Sequence, residues 1–140
     1  MTTVFDTNIL IDFENGNADA QQVIATTPAA AISRITWMEV LSGIDQADVA
    51  QYFGARAMLS MFDVIEVDEA IARTAALIHF ERNRAKSAGQ LPGKIRHSDC
   101  LIHASAVNYQ ATLVTRNAKD FKPVPLLGSL NIPVVTPYTV

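Results

Sequence analysis

Residues 2–10 read TTVFDTNIL, and what the chain does at Asp6 in this stretch decides the fold. Thr2–Phe5 is a short β-branched and aromatic run that stops at Asp6, the signature of a brief strand ending in a polar turn. Residues 8–26 then read as one or two short helices, interrupted near Gly16. The same alternation continues outward. Ala29–Ile32 is a second brief apolar run, and Ser33 is placed to cap a helix through about Ser42, which Gly43 ends. Asp45 to Ser60 is compatible with helix, and Met61–Val67 reads as a third strand. Asp68 caps a long helix with Ile71, Ala75, Ile78 and Arg82 along one stripe and Leu77 and Phe80 beside it. That helix dissolves by Gly89 into the turn-rich, basic segment Gln90–Arg96. His97 or Ser98 opens the next helix, which runs to about Tyr109. TLVT at residues 112–115 is a fourth strand, followed by a single turn around Asn117–Phe121. The tail, with Pro123, Pro125, Gly128, Pro133 and Pro137, reads mostly as loop, with room for one short edge strand near Val134–Val135.

Short apolar strands alternating with helices imply a parallel sheet covered on both faces. The expectation is an α/β fold, a three-layer α/β/α sandwich with four to five short strands, formed by residues 1–140 as a single domain. A chain of 140 residues, 49% of it hydrophobic, is long enough to bury a core without disulfides. In such sheets ligands bind beyond the carboxyl ends of the strands, so the residue after each strand is the one to inspect.

The bulk properties exclude several classes. No apolar stretch approaches the ~20 residues of a membrane span, and the N-terminus lacks the basic start of a secretory signal; a cytoplasmic protein is expected. The single cysteine, Cys100, lies in an apolar run and reads as a buried, inert thiol. Net charge is −3, but its distribution is uneven: residues 1–80 hold 3 basic and 11 acidic side chains, and residues 81–140 hold 8 and 3. The basic set is Arg82, Arg84, Lys86, Lys94, Arg96, Arg116, Lys119 and Lys122. It marks either a face for a polyanion such as RNA or merely a solvated helix end and loop.

Four acids stand at or near strand ends. Asp6 follows the first strand, Glu39 lies two turns into the helix after the second, Asp99 is in the first turn of its helix, and Asp120 follows the fourth strand. Three of them have an ordinary explanation if taken alone: Asp99 complements a helix dipole, Asp6 caps or turns, and Asp120 sits in a polar turn. Glu39, among the apolar residues of TWMEVLSGI, is harder to explain that way, because a buried charge without a partner is costly. Carboxylates gathered in one cleft repel and raise one another's pKa values. A hard divalent cation, Mg²⁺ or Mn²⁺, relieves that repulsion and can then stabilise charge on a phosphodiester and help ionise a water. The residues therefore point to a metal-dependent nuclease. His79, His97 and His103 show no zinc-ligand spacing, and neither a GxxxxGK[ST] loop nor a GxSxG elbow is present. His103 reads as a simple helix side chain, and His97 is a candidate to touch a phosphate beside the cleft. A phosphatase using two aspartates after its first strand needs an acid where this chain has Asn8, and an amide cannot serve as general acid.

These motifs resemble those of the PIN-domain nucleases. VFDTNILID is similar to the first motif of that family, SRITWMEVLSGI to the second, HSDCLIHASAV to the third and TLVTRNAKDF to the fourth. They occur in family order and cover essentially the whole chain. The resemblance implies that Asp6 and Asp99 are the direct metal ligands, and that Glu39 and Asp120 complete the acidic pocket through water or a second ion. It assigns supporting polar roles to Thr7, Asn8, Thr115 and Asn117. Many relatives carry an acid at the position of Asn117, so either Asn117 or Asp120 fills the fourth place. Arg82, Arg84, Lys94, Arg96 and Arg116 are the expected RNA contacts. The compact length resembles bacterial toxins of the VapC type, which implies a cytoplasmic endoribonuclease, a homodimer and a VapB-like antitoxin that blocks the active site. Trp37 and Met38 then either line the antitoxin's groove or pack in the core. A stand-alone RNA-processing enzyme and a non-catalytic binding domain are the alternatives.

Overall fold

The computed structural model describes residues 3–89, 96–121 and 131–139. Among them, five strands form one sheet: β1 (Thr3–Phe5), β2 (Ala30–Ser33), β3 (Asp63–Ile65), β4 (Thr112–Val114) and β5 (Val134–Val135). Every neighbouring pair is parallel, in the order β3-β2-β1-β4-β5. The chain builds outward from β1 to β3 on one side and then crosses back to place β4 on the other. β1 and β4 therefore flank the point where strand order reverses, which is where a doubly wound sheet opens a crevice at its carboxyl edge.

Among the described residues, six helices cover the sheet: α1 (Thr7–Glu14), α2 (Ala18–Thr26), α3 (Arg34–Ser42), α4 (Val49–Leu59), α5 (Glu69–Ser87) and α6 (His97–Asn108). Alternation along the strands feeds two cores, as the pleat requires. Val4, Ala31, Ile65 and Leu113 face α5 and α6, whereas Phe5, Ile32 and Val114 face Ile9 and Leu10 of α1, Val40 of α3 and Met58 of α4. The three-layer α/β/α arrangement expected from the sequence is thus the one observed. α6 is buried nearly all round, from Cys100 and Ile102 through Val107, the mark of a helix enclosed by neighbours rather than lying on a surface.

Side-chain caps set the helix starts. Asn17, Ser33, Asp48 and Asp68 accept from backbone amides at 2.9, 3.1, 3.0 and 2.8 Å, each satisfying a donor the helix leaves open. Two boundaries differ from the sequence reading. α4 begins at Val49 rather than Asp45, because the Asp45 side chain accepts from the Ala47 amide at 2.9 Å and closes a turn of its own. β3 begins at Asp63 rather than Met61, because the amides of Met61 and Phe62 still donate back to the end of α4. Gly16, at φ +83°, makes the turn between α1 and α2 in the left-handed region that suits glycine. The predicted edge strand is present as β5, and Pro123, Pro125 and Gly128 lie outside the described residues. No helix among the described residues is long and apolar enough to cross a membrane.

Candidate active site

The site is assembled where β1 and β4 end side by side. The register pairs Phe5 with Val114, so the next residues, Asp6 and Thr115, emerge together at the carboxyl edge. The Asp6 amide donates to Val114 O at 2.9 Å, and the chain then turns into α1. As the cap of that helix, Asp6 accepts from the Thr7 amide through Oδ1 at 2.7 Å. Its other oxygen, Oδ2, accepts from Thr115 Oγ1, also at 2.7 Å.

Thr115 is fully buried and serves as a junction. Besides donating to Asp6, its hydroxyl oxygen accepts from the Asn117 amide at 3.0 Å and from Asn8 Nδ2 at 3.3 Å. The other end of the Asn8 amide accepts from the Arg116 backbone N–H at 3.2 Å. Thr7 does the equivalent work on the opposite wall, donating from Oγ1 to Glu39 Oε1 at 2.7 Å, with Thr36 Oγ1 3.1 Å away. Of the supporting polar residues expected from the sequence, Thr7 and Thr115 bond the acids directly, whereas Asn8 and Asn117 bond Thr115. Thr36 was missed. It stands one helical turn before Glu39 on α3, and that i, i+3 spacing was the available signal.

Asp6, Glu39, Asp99 and Asp120 line one cleft of about 540 Å³ together with Thr7, Asn8 and Asn117. Asp99 comes from the first turn of α6 and Asp120 from a 3-10 turn, Ala118–Phe121, after β4. Both Asn117 and Asp120 line the cleft. Burial, above all, pushes the Asp6 carboxyl up to about 6, and the Asp99 and Glu39 carboxylates add to it against the opposing hydrogen bonds from Thr115 and Thr7. Asp99 is also raised, first by burial, then by Asp120 and Glu39, with Arg96 and Arg82 pulling it down. Such mutual repulsion is relieved by a cation in the cleft. Among the described residues, no three His, Cys, Asp or Glu side chains are close enough to form a cage for one ion. The donor set fits instead an ion held by one or two carboxylates and completed by water, which is how Mg²⁺ is usually bound.

The basic residues separate into different roles. Arg96 and Lys119 line the cleft, and Lys119 was not among the expected contacts. Arg82 corrects the sequence reading: it is only 6% exposed, on the buried stripe of α5 with Ile71, Ala75 and Ile78, and so lies behind the acids rather than on an RNA-facing surface. Arg84 is exposed and paired with Glu81. Arg116 Nε lies 2.5 Å from Asp12 Oδ2, a charge contact without hydrogen-bond alignment at Nε, and Tyr138 Oη donates to the same carboxylate oxygen at 2.9 Å. Lys94 lies outside the described residues.

The remaining expectations resolve simply. Cys100 is buried, and its thiol is pushed up to about 11 by that burial, so it is inert at neutral pH. His103 is buried in α6 and lowered to about 4, first by burial and then by Arg82. His97 stacks on His79 with ring centroids 4.1 Å apart. Trp37 packs against the α1–α4 core with the guanidinium of Arg34 4.8 Å from its ring centre, while Met38 is exposed.

An acid-lined cleft thus lies at the switch point of a short parallel sheet. Residues 3–125 match the PIN domain, and the chain belongs to that family. A "Ribonuclease VapC" from Rickettsia bellii (strain RML369-C) is 27% identical over 141 residues, covering 96% of this chain and 98% of the relative. A chain of a toxin–antitoxin complex from Klebsiella pneumoniae superposes with a TM-score of 0.75 at 36% identity, covering 99% of this chain and 100% of that one. A chain of VapBC2 from Rickettsia felis, solved bound to a DNA fragment of its promoter, superposes with a TM-score of 0.72 at 24% identity, over 96% of this chain and 98% of that one. That last likeness is one of fold.

Proposed function

We propose that this protein is a divalent-metal-dependent endoribonuclease, the toxin of a VapBC-type toxin–antitoxin pair. The observation that carries the proposal is the convergence of Asp6, Glu39, Asp99 and Asp120 on one cleft, from four different elements. In this reading Asp6 and Asp99 hold a Mg²⁺ or Mn²⁺ ion, and Glu39 and Asp120 complete its surroundings through water or a second ion. The ion supplies charge neutralisation at the phosphodiester and lowers the pKa of an attacking water.

The chain's own residues do the rest. The Thr7 backbone N–H and the Thr115 hydroxyl fix the Asp6 carboxylate in one orientation, and the Thr7 hydroxyl fixes Glu39. Because both acids answer to adjacent residues at one helix start, their separation is set by the fold and not by rotamer choice, which is the preorganisation that catalysis by positioning needs. Arg96 and Lys119, which line the cleft, would contact phosphates of the bound RNA in this reading.

The same proposal includes a VapB-like antitoxin, a homodimer, action on RNA in the cytoplasm, and one catalytic domain spanning residues 1–140. The relatives' own description as ribonuclease and as toxin–antitoxin complexes supports the partner and the reaction. Incubation of the purified protein with structured RNA, with Mg²⁺ or with EDTA, is the test. Internal cleavage that stops on chelation is expected; cleavage unaffected by EDTA, or none with either ion, refutes the reading.

A further inference from the structure

α5 carries Ile71, Ala75, Ile78, Arg82 and Ala85 along its buried face. An apolar side chain would continue that stripe without the desolvation a guanidinium suffers, and burying a guanidinium there is costly unless charge nearby offsets it. The chain supplies that charge from two other elements. Arg82 shares a small cavity of about 10 Å³, the size of a single water, with Asp99 of α6, Asp120 of the 3-10 turn, Ile78, Arg96, Cys100 and His103. Arg96 also lines the open cleft, which leaves Arg82 as the buried cation of the pair. Asp99 and Asp120 are also two of the four acids of the cleft. One buried cation thus lies behind two carboxylates whose front sides face the open site.

We infer that Arg82 is a positioning residue: its guanidinium holds Asp99 and Asp120 from behind, across the α5–α6 packing, and partly neutralises them so that the metal-free site does not spring apart. The electrostatics agree in both directions. Arg96 and then Arg82 pull Asp99 down, and Cys100, Asp120 and Asp99 pull Arg82 up against the burial that dominates its shift. Arg84, two residues on, shows the contrast: it is exposed and pairs within its own helix with Glu81. α5 also packs more extensively against α6 than any other two elements pack together, which gives Arg82 a rigid base.

The inference rests on the proposed nuclease for its kinetic readout but not for its binding readout. The full-length protein and its Arg82→Met and Arg82→Lys variants are compared by thermal unfolding in EDTA and in Mn²⁺, and by kcat and KM on RNA. Arg82→Met is expected to melt lower in EDTA and to gain more from Mn²⁺ than the parent does, since the ion then supplies neutralisation that Arg82 gave. Its kcat should fall by up to about 100-fold, the scale of a misplaced catalytic group, at unchanged KM. Arg82→Lys should recover most of the EDTA melting temperature and only part of kcat. A folded Arg82→Met with parental kcat and a parental Mn²⁺ shift overturns the inference, as does a raised KM at unchanged kcat, which would make Arg82 an RNA contact. If Arg82→Met fails to fold, Arg82→Lys decides alone: lowered kcat at unchanged KM supports the role, and parental kinetics overturn it. Should the parent cleave no RNA, the nuclease reading fails, and the Mn²⁺ shift still judges Arg82.

Discussion

Replacing Thr115 with valine keeps the shape of a fully buried side chain and removes its single hydroxyl. Three interactions go with it: the bond to Asp6 Oδ2 at 2.7 Å, and those received from the Asn117 amide at 3.0 Å and Asn8 Nδ2 at 3.3 Å. The first is a bond to a buried carboxylate, worth about 1.5–3 kcal/mol when the acid is ionised. The other two donors are only part-buried and can turn to water, so together they add about 1 kcal/mol. The expected loss at pH 8 is therefore about 3 kcal/mol. The Asp6 carboxyl is raised to about 6, so at pH 5 the native metal-free protein holds it mostly protonated. A neutral acid gives up less when its donor disappears, and the loss should shrink to about 2 kcal/mol. Urea unfolding of both proteins in EDTA at pH 8 and pH 5 measures the two values. A loss equal at both pH values, or below about 0.5 kcal/mol at pH 8, refutes the account of Thr115 as the support of an ionised Asp6.

Other variants probe separate parts of the structure. In EDTA, Asp6 and His103 oppose each other between about pH 4 and 6.5. Raised from 3.8 to about 6, Asp6 favours the native state as pH falls, by up to about 3 kcal/mol; His103, lowered from 6.5 to about 4, disfavours it over nearly the same range. His103→Gln should therefore melt higher at pH 4.5 than at pH 7 and Asp6→Asn lower, and identical pH slopes in the two variants would count against both assignments. Arg96→Gln and Lys119→Gln should each lower the slope of log affinity for single-stranded RNA against log salt by about 0.7, read by fluorescence anisotropy in EDTA; an unchanged slope removes that residue from the phosphate path. Tyr138→Phe loses its bond to the Asp12 carboxylate and should cost about 1–2 kcal/mol in chemical denaturation while leaving kcat alone, so a fall in kcat at full stability would tie this strap to the chemistry.

What the sequence made legible was what chemistry ties to local spacing. The strand Thr3–Phe5 ending at Asp6, the Ser33 and Asp68 caps, and the α5 stripe through Ile71, Ala75 and Ile78 all depend on neighbours within a turn or two, and all stand where periodicity put them. The candidate acids were legible for a related reason: in a parallel sheet the strand ends share one edge. What stayed hidden depends on which strands become neighbours. Thr115 meets Asp6 only because β4 pairs with β1, 109 residues apart in sequence. Tyr138 reaches Asp12 across 126 residues because β5 extends the same edge. Arg82 was read as surface charge because it belongs to a basic segment by composition, although its place on the stripe with Ile78 already put it inside. Where composition and periodicity conflicted, periodicity was right.

The most direct test of the account is RNA cleavage by Asp99→Asn beside the parent, in Mg²⁺, with folding of both confirmed by circular dichroism. Asp99 reaches the cleft from α6, apart from the Thr7–Thr115 network that braces Asp6, so the exchange removes charge with little disturbance to that frame. The account predicts a folded variant whose cleavage falls by more than about 100-fold, the upper end of what loss of a supporting residue around a metal ligand costs. Cleavage by folded Asp99→Asn at the parental rate would contradict it.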